Sequence, residues 1–287
     1  MNFKEGLYIG LKIIILAIIL LICDFIGASV AGLQSVSQTA SPGYLFSMSF
    51  LASLATAAAL SYPVLKSKWQ GWPLIAAVFG LVFGIRTFLT QIETVVFLKH
   101  LADIVPAEMI PKLWQQGFIS ALIFSPLVVL ICGKFKKAPQ KEQKEVFISL
   151  TFTQWLGRLL AAGLLYLIIY IAFGMLVFRP LVGSAFEQYY GNLQMPLWIF
   201  PFQVLRGMVW TFIALPVMAM MRGKWWESGL AVALLFAVLM GALLIIPNEF
   251  MPDNIRLGHF VEVFSSNFLF GWVVAWLFGR NFACKKG

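Results

Sequence analysis

Charge is what this sequence has least of: Asp, Glu, Lys and Arg together make up 11% of its 287 residues, against about 25% in soluble domains. Too few charges remain to cover a water-facing surface, and no stretch is long and polar enough to form a soluble domain. Histidine occurs only at His100 and His259, and cysteine only at Cys23, Cys132 and Cys284. The cysteines have neither paired nor metal-ligand spacing, which excludes a disulfide framework. The terminal Cys284-Lys285-Lys286-Gly287 lacks the aliphatic pair of a prenylation signal.

Catalytic signatures are missing as well. There is no HExxH, no GxSxG and no phosphate-cradling GxxxxGK[ST]. An intramembrane aspartyl protease needs two aspartates at one depth, and Asp24 is the only aspartate within an apolar run. The paired-glutamate motif of Abi/CAAX-type metalloproteases is absent too. No cofactor is implied. A net charge of +9 would suit nucleic acid, but the basic residues sit in short connections and at the termini, and nothing resembles a nucleic-acid module.

What is abundant is apolar sequence, 61% of the chain, gathered into runs long enough to cross a bilayer, which takes about 20 residues. Eight runs fall at roughly 7–31, 44–65, 72–98, 114–133, 147–178, 196–222, 226–247 and 258–280. The fourth is the weakest, diluted by Gln115, Gln116, Ser120 and Pro126. The expected fold is therefore an all-α polytopic membrane protein of about eight transmembrane helices, forming a single transmembrane domain over 1–287. Lys4, the first run and Ser29-Val30-Ala31 imitate a signal peptide, but the run is too long and contains Asp24, so it reads as a retained span.

Alternation of the runs sorts the basic residues. One side takes Lys66, Lys68, Lys134, Lys136, Lys137, Lys141, Lys144, Arg222 and Lys224, and with the termini Lys4, Arg280, Lys285 and Lys286. The other takes Lys99, Lys112, Arg179 and Arg256. This positive-inside asymmetry predicts both termini in the cytoplasm, in a plasma membrane of the bacterial inner-membrane kind. The halves 1–133 and 147–287, joined by the basic linker 134–146, suggest a weak parallel repeat. Glu93 and Glu249 end the third and seventh runs, and Gly133-Lys134 and Gly279-Arg280 end the fourth and eighth. Small residues recur every fourth position (Gly80 and Gly84; Gly229, Ala233, Ala237 and Gly241; Gly271, Ala275 and Gly279) and predict close helix contacts, within the chain or in a homo- or hetero-oligomer.

Ionisable groups at membrane depth are costly, so they mark candidate sites. Counting along the helices places Asp24, Arg86, Arg158 and Arg206 at a common level, roughly 16–22 Å from the cytoplasmic face. One acid against three arginines leaves positive charge that a small anionic ligand would neutralise, bound by the planar guanidinium forks. Gln154 shares a helix face with Arg158, and Gln203 with Arg206, so each amide is expected to orient the ligand. Asp24 and Glu93 are candidates for proton coupling, because desolvation disfavours an ionised carboxylate. Arg86, Glu93 and His100, seven apart, share one face if their helix is continuous.

A second candidate is metal or haem ligation at the outer face by His100, His259 and Glu262. Three readings follow: a transporter or binding protein for a small anionic or amphipathic solute; a membrane-embedded metal- or haem-dependent enzyme; and a non-catalytic subunit that packs through its Gly/Ala faces. Membrane lipids are the one certain partner.

Overall fold

The computed structural model describes residues 3–33, 40–101, 106–135, 150–191 and 196–279, the side chains of 97–101 excepted. Among them, eight helical spans are long and apolar enough to cross a membrane. Span 1 is Phe3–Val30, span 2 Pro42–Leu65, span 3 Trp72–Val96 and span 4 Met109–Ile131. Span 5 is Phe152–Val182, span 6 Ile199–Met220, span 7 Trp225–Ile245 and span 8 Asp253–Phe278. The protein is thus an all-helical multi-pass membrane protein. Any beginning of the basic linker beyond Phe135, up to residue 149, lies outside the described residues.

Local chemistry sets the ends. Ser41 caps span 2, its hydroxyl accepting from the Tyr44 amide at 3.4 Å, with Pro42 in the first turn. Thr151 and Gln154 form a reciprocal capping box at the start of span 5. Span 5 therefore begins at Phe152, later than the apolar run suggests. Span 8 begins earlier, at Asp253 directly after Pro252. The expected loop around Asp253 and Arg256 is instead the first turn of that helix.

Two spans are not uniform α-helix. Span 3 passes through a π-helical segment at Gly84–Leu89, and span 5 through another at Gly174–Phe178. Span 7 tightens into a 3-10 turn over Ala242–Ile245 before Pro247.

The packing follows a repeated pattern: span 1 lies on spans 2 and 4 and span 3 on span 4, while span 5 lies on spans 6 and 8 and span 7 on span 8. Span 2 crosses to span 7. Spans 7 and 8 approach closely enough that a Cβ on Gly271 would stand 2.7 Å from the Ala233 Cα. Their small-residue faces are therefore buried against each other within the chain. The centre is aromatic: Trp210, Phe236, Phe270 and Phe278 are fully buried, with Trp210 and Phe236 4.4 Å apart. Leu7, Leu11, Ile14, Ile18, Ile22 and Phe25 form an exposed stripe on span 1, the face expected against lipid.

On the lysine-rich face the turns between spans 2 and 3 and between spans 6 and 7 are joined by one antiparallel bridge, Ser67 with Met221. The Lys68 amide donates to Met220 O at 2.7 Å and the Arg222 amide to Lys66 O at 3.1 Å. Beside it Lys66 pairs with Glu227 at 2.7 Å, and Lys134 Nζ donates to Ser67 O at 2.9 Å. Burial, with Arg222 nearby, holds the Lys134 ammonium below the usual lysine range.

Candidate functional site

The polar groups at membrane depth fall into separate clusters. The first is built on Asp24, six residues before the end of span 1, or about 9 Å along the helix axis. Arg86, in the π segment of span 3, grips it with both guanidinium ends: Nη2 to Oδ2 at 2.9 Å and Nη1 to Oδ1 at 3.4 Å. Span 4 completes the setting. Ser120 Oγ donates to Asp24 Oδ1, and Gln116 Nε2 reaches the Asp24 carbonyl at 3.5 Å. Gly117 between them lets span 4 press against span 3; a Cβ there would lie 1.9 Å from Thr87 Oγ1.

These groups form the polar wall of a cavity of about 720 Å³ between spans 1, 2, 3 and 4, touching the end of span 7 at Leu243 and Ile246. Most of the remaining lining is apolar, including Leu21, Leu45, Val82 and Leu113. Ile22 and Phe25 of span 1 and Phe46 of span 2 stand at its edge and are themselves more than half exposed. The cavity therefore meets the lipid-facing surface between spans 1 and 2. Two buried polar atoms have no partner: Arg86 Nε, and Oε1 of Gln91, a lining residue.

The second cluster surrounds Arg206 of span 6, which is 4% exposed. It pairs with Glu93 at 2.7 Å, donates to Leu89 O at 3.0 Å and to Gln203 Oε1 at 3.4 Å, and lies 5.8 Å from the Tyr166 ring centre. Arg206 Nε and Gln203 Nε2 are buried without a partner.

The third cluster is at the face opposite the lysines. Burial lifts the Tyr190 hydroxyl above the ordinary tyrosine range, so it stays a donor. It lies 2.7 Å from His259 Nε2, and His259 Nδ1 lies 3.4 Å from Glu262 Oε2. A carboxylate accepts only, so these partners select the tautomer protonated at Nδ1. Phe178 stacks on the imidazole at 3.9 Å.

These placements correct several expectations. Arg86, Arg158 and Arg206 do not share one cavity; of the three, only Arg86 lines the one beside Asp24. Arg158 lies one and a half turns into span 5 and donates to Leu277 O at 2.8 Å, at the end of span 8. There it complements the negative end of that helix. Its level was misplaced because span 5 starts at Phe152 rather than 147. Gln154 is exposed and occupied in the capping box, so it is not positioned to orient a ligand. The expected surplus of positive charge disappears: Arg86 is matched by Asp24, Arg206 by Glu93 and Arg158 by a helix terminus. Arg86 and Glu93 do not work along one face, because the π segment between them shifts the register.

For the metal reading, His100 lies outside the described side chains. Both ring nitrogens of His259 are engaged by Tyr190 and Glu262, and no group of three His, Cys, Asp or Glu converges among the described residues.

Sequence reasoning missed three residues. Ser120 and Gln116 were visible only as polar dilution of the fourth run, and that dilution was the signal. Arg256 looked like a solvated loop residue, yet it is 2% exposed, donating to Leu244 O at 2.7 Å and pairing with Asp253 at 2.6 Å.

Fold and cavity together define the class: a polytopic helical membrane protein with a charged pair set in an amphipathic intramembrane cavity. Comparison with protein-family models, curated proteins and solved structures returned no match.

Proposed function

We propose that the protein is a transporter or binding protein for a small amphipathic solute with an acidic head, taken up in the cavity beside Asp24 and Arg86. The observation that supports this is the cavity itself. Its volume of about 720 Å³ lies within the roughly 300–1,000 Å³ typical of ligand sites, and it joins apolar walls to a few convergent polar groups. In this reading Arg86 is the recognition group, and Ser120, Gln116 and Gln91 orient the head. Asp24 and Glu93 are the carboxylates through which proton coupling acts. Arg206 with Gln203 secures Glu93, and Arg158 has no part in binding.

The basic asymmetry supports termini in the cytoplasm and a plasma membrane of the bacterial inner-membrane type. A subunit reading has one observation in its favour. A shallow groove of about 280 Å³, lined by Ala76, Ala77 and Gly80 against Phe212 and Pro216, leaves a small-residue face only partly covered within the chain.

The test is a thermal-shift screen of the purified protein with carboxylates, phosphates and anionic amphipaths. A ligand of the folded state adds RT ln(1 + [L]/Kd) of stability. We expect a rise in Tm with amphipathic acids that Arg86→Lys abolishes, because lysine keeps the charge but not the fork. A screen without any shift, or one that Arg86→Lys leaves intact, overturns the reading.

A further inference from the structure

The charge count at the cavity poses a problem that its geometry resolves. Arg86 is the cationic group on the lining, and its fork is filled by Asp24. An arriving anion thus meets a neutral pair in an apolar setting. To reach the guanidinium it must take the place of the Asp24 carboxylate. That carboxylate, 26% exposed and at membrane depth, then loses its counter-charge beside apolar walls, and an uncompensated charge there is costly. A proton is the smallest species that removes the cost.

Resting on the binding reading above, we propose that the site takes an amphipathic monocarboxylate and one proton together, the ligand carboxylate replacing Asp24 at Arg86 as Asp24 is protonated. No covalent bond changes other than the new O–H on Asp24, the proton coming from solvent. Net charge is conserved: one anion and one proton enter a neutral site, which stays neutral.

The surroundings fit this exchange. Protonated Asp24 turns from a pure acceptor into a donor that also accepts, so it can keep the Ser120 hydrogen bond while giving up Arg86. Arg86 Nε, buried and unpartnered, adds a third donor for the incoming head. Gln91, another lining residue, carries an unpartnered Oε1 as a further acceptor at the site. The other groups around Asp24 do not compete for the proton. Span 4 presents Ser120, Gln116 and Gly117, span 2 presents Ser49 and Ser53, and the end of span 7 presents Leu243 and Ile246. The neighbouring Cys23 on span 1 is buried and faces the core. The apolar lining, continuous with the exposed edge at Ile22, Phe25 and Phe46, selects a head that carries an apolar tail.

The experiment uses the full chain in nanodiscs, with decanoate as the probe, butyrate as a short-tailed carboxylate and decyltrimethylammonium as a tail with the opposite charge. Titration calorimetry in buffers of different ionisation enthalpy counts protons taken up per ligand. We expect decanoate to bind with about one proton, and its affinity to rise close to tenfold per pH unit between about pH 8 and about pH 6, where the probe stays ionised. Asp24→Asn leaves Arg86 permanently available. It is expected to bind decanoate more tightly at neutral pH, without proton uptake and without pH dependence, while still eluting as a monodisperse species. Decanoate binding with no proton taken up, or with the same pH dependence in Asp24→Asn, overturns the exchange but leaves the binding reading standing. Butyrate binding as well as decanoate overturns the amphipathic class. No decanoate binding to either protein at any pH overturns both.

Discussion

Arg86 and Glu93 are seven residues apart on one unbroken span, yet they turn to different partners, Arg86 to Asp24 on span 1 and Glu93 to Arg206 on span 6. Two turns of α-helix would have stacked them. The π segment Gly84–Leu89 adds a wider turn between them and sends their side chains apart. One span thereby serves two ion pairs with buried arginines and partly exposed carboxylates, one bordering the cavity and one joining span 3 to span 6.

The Glu93–Arg206 pair gives a direct prediction. Glu93→Gln leaves Arg206 enclosed with its charge unmatched, which costs about 3–5 kcal/mol. Thermal unfolding in detergent is expected to show a large fall in Tm, and combining Glu93→Leu with Arg206→Met is expected to restore most of it. Losses that simply add in the double variant would show that the two side chains do not act as a pair.

Gly117 is expected to tolerate no side chain. Gly117→Ala drives a methyl group into Thr87, an overpacking cost of about 1–3 kcal/mol, and displaces Ser120 from Asp24. Adding Thr87→Gly removes the clashing side chain and is expected to recover part of the stability. Unchanged unfolding of Gly117→Ala would mean that spans 3 and 4 do not approach this closely.

Arg256→Met is expected to lower stability by about 1–3 kcal/mol, because it strips the Leu244 carbonyl of a buried donor. Arg256→Lys is expected to recover little, since one ammonium cannot reach both Leu244 and Asp253 as the fork does. Equal stability of the lysine variant and the wild type would contradict the bridging role.

His259 is expected to be a structural link rather than a metal ligand. Chelator treatment should leave Tm unchanged, whereas His259→Ala should speed hydrogen exchange in the short helix Ala185–Tyr190, which Tyr190 anchors to the imidazole. A fall in Tm on chelation alone would restore the metal reading.

Orientation is testable in whole cells. In a background without the native cysteines, a cysteine at Ser184 is expected to react with an impermeant reagent and one at Lys224 is not; both positions are exposed. Reaction at Lys224 alone would invert the topology.

The eight spans were legible because membrane burial writes itself as long apolar runs, and no competing signal of that length exists. Asp24, Arg86 and Glu93 were legible as candidates because charge in such runs is rare. Their pairing was not. Side-chain direction depends on helix register, and the π segment that redirects Arg86 relative to Glu93 follows from contacts rather than from the local residues Gly84–Leu89. Arg158 and Gln154 were misjudged by a boundary error of five residues at a capped end. Arg256 was hidden by Pro252, which reads as a loop signal but here opens a helix. Ser120 was hidden by its chemistry, since a serine in a membrane helix more often fills space than bonds across it.

The bridge between Ser67 and Met221 has a mechanical consequence. It fastens two turns that belong to distant parts of the chain, with Lys66–Glu227 and Lys134 reinforcing the joint, and all of this lies on the lysine-rich side. The cavity lies away from that joint, among the ends of spans 1 and 2 nearest the opposite side. The lysine-rich ends of spans 2, 3, 6 and 7 are thus held to one another like the bound edge of a book.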